Sequence, residues 1–101
     1  MQRLIEQPTG DGDILDGRVR VGRVHYHLSI YQHFSRVEDE PVPASLDVEG
    51  RIIASRVLNL PALRQRRTEL TLRLSDGRLL EFSLADGVGT IRSTGRGLYT
   101  R

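Results

Sequence analysis

His25 and His27 are the residues best spaced for metal chemistry. Side chains two apart on a strand leave the same face with α-carbons about 6–7 Å apart, so both imidazoles can reach one zinc or copper ion. A third ligand is missing nearby, because His33 lies six residues further on, about 20 Å along an extended strand. The chain has no cysteine, which excludes thiolate metal sites and a disulfide framework. The histidines therefore read as the polar face of a strand, and no metal or other cofactor is expected. No serine or cysteine nucleophile can be set beside a histidine from the sequence, so nothing points to nucleophilic catalysis.

Arginine offers a second chemistry. Arg64-Gln65-Arg66-Arg67 sets three guanidinium groups within four residues, and Arg92 and Arg96 add two more. These five form the candidate anion-binding set, suited to the phosphates of a nucleic acid or a nucleotide, with Tyr26, Tyr31 or Phe34 as stacking faces. Only five aromatic residues exist, and at least two fall on apolar parities, so the stacking supply is poor. The segments Asp86-Gly87-Val88-Gly89-Thr90 and Ser93-Thr94-Gly95-Arg96-Gly97 can form anion nests from backbone amides. They lack the third glycine of a dinucleotide fingerprint and the Gly-Lys-Ser/Thr of a phosphate loop. Residues 81–87 approach the Asp/Asn-x-Ser-x-x-Gly strand of PilZ-type receptors. Glu81 and Asp86 break that pattern, the arginine spacing differs, and no family membership follows. Glu38, Asp39 and Glu40 stand together between Val37 and Pro41 and read as a solvated loop, not as an acid–base pair held in two environments. Catalysis is not expected.

The elements that position these residues begin with a hairpin over 69–84. Leu70, Leu72 and Leu74 share one parity against Glu69, Thr71 and Arg73, and Leu80, Phe82 and Leu84 repeat the pattern. A two-residue Asp76-Gly77 turn would set Leu72 opposite Glu81 and mix the faces. A three-residue loop, Ser75-Asp76-Gly77, pairs Leu72 with Leu80, Leu70 with Phe82 and Thr71 with Glu81, and gives Gly77 the positive φ of a bulged type I turn.

Elsewhere, Leu4-Ile5 reads as an edge strand or part of a loose N-terminal tail covering 1–12, and residues 7–17 are turn-rich. A long alternating stretch starts at Arg18 and switches parity across Gly22-Arg23, as at a β-bulge or a barrel corner. Residues 35–43 read as an acidic, proline-bearing loop, and a further strand runs through Leu46, Val48, Gly50 and Ile52. Asn59 is placed to cap one short helical turn near residues 59–66. One or two closing strands follow around residues 93–97. With no long 3.6-residue apolar period, the expected fold is all-β, an antiparallel barrel or sandwich of about six or seven strands.

At 101 residues the chain makes a single domain, 1–101, able to bury somewhat under 70% of its unfolded surface. It carries no lysine; all 15 basic residues are arginine, the usage a GC-rich bacterial genome favours. Residues 1–50 hold five arginines against nine acids, and residues 51–101 hold ten against four. Such halves either interleave as cross-strand ion pairs or leave a basic surface and a contact with another copy. The N-terminal stretch lacks a signal-peptide core and no run reaches membrane-span length, so a cytoplasmic, non-membrane protein is expected. Two functional readings follow: a non-catalytic module that binds a protein partner or self-associates, and a basic domain for an anionic ligand.

Overall fold

The computed structural model describes residues 2–54, 59–65 and 70–100. They form strands β1 (Gln2–Glu6), β2 (Thr9–Asp16), β3 (Val19–Val37), β4 (Glu40–Ala54), β5 (Leu70–Arg73), β6 (Leu79–Leu84) and β7 (Thr90–Tyr99), with one short helix, α1 (Leu60–Gln65). All paired strands are antiparallel. The order β3-β2-β5-β6-β7-β4 is closed into a six-stranded ring by β3–β4 pairing, while β1 hangs outside it on β3. The fold is thus all-β and barrel-like.

The β5–β6 hairpin has the register that parity requires: Leu70 opposite Phe82, Thr71 opposite Glu81 and Leu72 opposite Leu80. Leu74 N–H donates to the Arg78 carbonyl at 2.8 Å and closes a three-residue loop in which Gly77 has φ of +93°. A Cβ at Gly77 would meet nothing within 4 Å, so a side chain there is opposed by the backbone alone. Gly77→Val is expected to lower unfolding stability by about 1–2 kcal/mol, to be read as a shifted urea midpoint with an unchanged slope.

The ring fills with side chains, as a small barrel must. Ile14, Val24, Tyr26, Leu28, Ile30, Val48, Ile52, Leu70, Leu72, Leu80, Phe82 and Ile91 are all buried there in one cluster. Tyr26 keeps its hydroxyl satisfied at the barrel end, 3.0 Å from Ser75 Oγ and accepting from Ser75 N–H at 3.1 Å.

Three segments differ from the sequence expectation. The turn-rich stretch 7–17 contains β2, a strand wedged between β3 and β5. Its glycines mark close approach: a Cβ at Gly12 would lie 2.4 Å from the Arg73 carbonyl oxygen, so a side chain there would push β5 away. The acidic loop 35–43 is instead a continuous hairpin, with Phe34 opposite Pro43 and Val37 opposite Glu40. Only Glu38 and Asp39, both at positive φ, make its turn. Proline fits here because this part of β4 is a sheet edge; β7 pairs only with Glu49, Gly50 and Arg51. Finally, residues 93–97 lie within one strand, β7, whose register slips between Leu80 and Phe82 of β6 to leave a wide bulge.

Other local readings hold. Between Ile14 and Leu15 the β2–β3 register shifts, passing from Gly22 to Arg20, so β3 carries its bulge beside the parity break. Asn59 Oδ1 accepts from Ala62 N–H at 3.1 Å and caps α1. No helix among the described residues is long and apolar enough to cross a membrane.

Candidate interaction surfaces

β3 and β4 continue past the barrel as an arm. β2 pairs with β3 only as far as His27, β1 takes over from Ile30 to His33, and the β3–β4 hairpin runs on to its turn. The molecule measures 51 × 26 × 22 Å. Its radius of gyration is 14.4 Å, against about 12.7 Å for a compact domain of this length.

The pleat assigns the arm's side chains to two faces. Arg3, Gln32 and Leu46 are cross-strand neighbours, as are Phe34 with Pro43 and Arg36 with Pro41, on the face that continues the barrel interior. Leu4, Tyr31 and Asp47 lie on the other face, with Ser35 opposite Val42 and Val37 opposite Glu40. Apolar groups therefore stand on both sides. Leu4, Ile5, Val37, Val42 and Leu46 are each at least 40% exposed. A ribbon apolar on both faces cannot satisfy both by folding back on its own barrel.

Arg78 fastens the base of the arm. Its Nη1 and Nη2 donate to the two Glu6 carboxylate oxygens at 3.0 and 2.6 Å, and its Nε donates to Asp76 Oδ2 at 2.7 Å. The end of β1 is thus tied to the β5–β6 turn. The side-chain hydrogen bond from Arg78 holds the Glu6 carboxyl below its ordinary 4.5, and the Arg78 backbone N–H followed by its side chain holds Asp76 below 3.8. A carboxylate with a lowered folded pKa stabilises fully above its ordinary value and loses that contribution as pH falls through the lowered one. The clamp is therefore intact at neutral pH and loses its stabilising contribution only in acid, as pH falls below the ordinary carboxylate range. Arg78→Ala at pH 7 is expected to shift the Leu4 and Ile5 methyl resonances to the positions that acidification is expected to give in the native chain. Unchanged resonances would deny the clamp its role.

The other concentration of charge lies along the barrel, between the β2–β3 turn and the β5–β6 turn. An open depression of about 690 Å³ is lined by Leu15, Arg18, Arg73, Leu79, Arg96 and Tyr99, among others. Asp13, 9% exposed, lies beside it and serves three guanidinium groups: Arg73 Nη2 donates to Oδ2 at 2.8 Å, while Arg20 Nε and Arg23 Nη1 approach Oδ1 at 3.2 and 3.5 Å. Neither approach to Oδ1 makes a hydrogen bond, so charge alone holds that oxygen. The Arg73 hydrogen bond keeps the Asp13 carboxyl below its ordinary range despite burial. Glu81 accepts from Arg96 N–H at 2.8 Å and from Arg96 Nε at 3.2 Å. The Arg96 guanidinium also lies 4.1 Å above the Tyr99 ring.

Of the five candidate anion-binding residues, the structure brings Arg96 into this depression. Arg92 sits elsewhere, exposed on the outer face opposite Ser83 and Glu49. The Arg64 side chain, and Arg66 and Arg67 altogether, lie outside the described residues. Arg18 and Arg73 went unnoticed in the sequence because they are 55 residues apart and meet only across strands. The two glycine-rich nests are already filled: Asp86 Oδ1 accepts from Val88 N–H at 2.9 Å and Thr90 N–H at 3.1 Å, as Glu81 does from Arg96. The stacking set divides as well, since Tyr26 is in the core and Tyr31 and Phe34 have opposite parity on β3.

His25 and His27 do share a face, with ring centroids 4.8 Å apart and edge to face. His25 Nδ1 lies 3.0 Å from Asp11 Oδ1, and His33 Nε2 is 3.7 Å from Asp47 Oδ2. Among the described residues no three His, Cys, Asp or Glu side chains converge on a metal-sized site. Comparison with known proteins adds no relative: no family model, curated protein or solved structure is significantly similar to this chain.

Proposed function

We propose that this protein is a non-catalytic interaction module that docks onto a protein surface, another copy of itself included, through the β1–β3–β4 arm. The observation that carries this reading is a projecting ribbon with exposed apolar side chains on both faces. Docking by the faces fits better than strand addition at the edges. Pro41 and Pro43 blunt the free edge of β4, and β1 is five residues long with a register slip between Leu4 and Glu6. The reading as a site for a free nucleotide or nucleic acid is weaker, because Asp86 and Glu81 already fill the two glycine-rich nests.

A photoreactive benzoylphenylalanine in place of Val42 tests the reading. Irradiation is expected to trap a second protein chain on the arm, and peptide mapping names it. If the probe yields only uncrosslinked chain at every concentration and in the presence of cell extract, the arm is not a docking element.

A further inference from the structure

Resting on that reading, we infer that the acidic tip of the arm seats in the arginine-lined depression of a second copy of this chain, so that copies assemble head to tail. Arg18, on the rim of the depression, precedes Val19 at the start of β3, whereas Glu38 follows Val37 at its end. Neither can reach the other within one molecule. They are complementary in charge. Residues 34–43 carry Glu38, Asp39 and Glu40 against Arg36. Beside the depression Asp13 is shared by Arg20, Arg23 and Arg73 and Glu81 pairs with Arg96, so guanidinium groups outnumber the carboxylates that face them, and Arg18 adds a further one on the rim.

They are complementary in apolar surface as well. Val37 and Val42 flank the tip; Leu15, Leu79 and Tyr99 line the depression, and exposed Val19 adjoins it. The depression's volume is that of a pocket for a drug-sized ligand, about 300–1,000 Å³, which suits a few side chains of a two-residue turn. A two-fold contact of arm on arm would leave the arginine-lined depression outside the interface and the acidic tips without that complementary charge. The heterologous contact is the one that charge favours, and it propagates unless its rotation closes a ring.

Charge reversal on each side tests this. Glu38→Arg/Glu40→Arg alters only the tip, and Arg18→Glu/Thr100→Glu only the rim of the depression. Each variant alone is expected to associate about tenfold or more weakly than the native chain, and an equimolar mixture of the two is expected to regain it, since each arm then meets an opposite charge. Milder Glu38→Gln/Glu40→Gln should fall between, and restoration on mixing shows that both reversed variants are folded. Native-like association of the Arg18→Glu/Thr100→Glu variant, or no recovery on mixing, overturns head-to-tail docking. A chain that stays monomeric also overturns it, yet leaves the interaction module standing if the Val42 probe traps a different protein.

Discussion

Phe82→Ala is expected to lower unfolding stability by about 3–5 kcal/mol, whereas Phe34→Ala should cost less than about 1 kcal/mol. These are the chain's two phenylalanines, and the fold gives them opposite work. Phe82 is fully buried on β6 between Leu70 and Ser93, where truncation leaves a cavity that closely packed neighbours cannot collapse to fill. Small domains hold about 5–15 kcal/mol in total, so this one change should leave a substantial unfolded population near the melting range of the native chain. Phe34 is on the arm opposite Pro43 and has little core to disturb. Its loss is expected to weaken association instead. Urea unfolding of the two variants, read beside their masses in solution, checks both halves; equal destabilisation would mean that the arm is part of the core.

The second large effect concerns association alone. Val42→Lys/Leu46→Lys places one ammonium group on each face of the arm, where the native chain presents exposed apolar side chains. Fully burying such an aliphatic side chain contributes about 1.5–3 kcal/mol; with Val42 40% and Leu46 41% exposed, about two-fifths of that remains for each, and since each 1.4 kcal/mol is about tenfold in affinity, losing both should raise the dissociation constant about tenfold or more. Stability should change little, because neither residue belongs to the buried cluster. A sedimentation series that leaves the association of this variant at the native level would remove the arm from the account.

The hairpin was legible in the sequence because everything that fixes it is local. Parity, a three-residue loop and one glycine at positive φ all lie within sixteen residues and agree. The arm was not legible, although its alternation is written in Ser35-Arg36-Val37 and resumes at Val42. Two prolines and three consecutive acids imitate a loop, and only the knowledge that this length of β4 is an edge shows why proline is tolerated there. β2 was hidden in the same way by Gly10 and Gly12, which read as turn residues and in fact admit the neighbouring strand and the Tyr26 ring.

The depression was hidden for a different reason. Arg64, Arg66 and Arg67 draw attention by being contiguous, whereas Arg18, Arg73 and Arg96 come from three separate segments that only barrel closure brings together. The charge imbalance between the halves of the chain was a real signal with a mixed outcome. Part of it is spent in cross-strand pairs between the halves, Asp13 with Arg73 and Glu6 with Arg78. The remainder is a separation of acid at the tip of the arm from arginine on the barrel.

Light scattering after size exclusion, at two protein concentrations and at low and high salt, tests the central claim most directly. The account predicts a mass above 11.4 kDa at low salt that rises with concentration and falls as salt screens the tip from the arginines. A mass of one chain at every concentration and salt would contradict self-association through the arm.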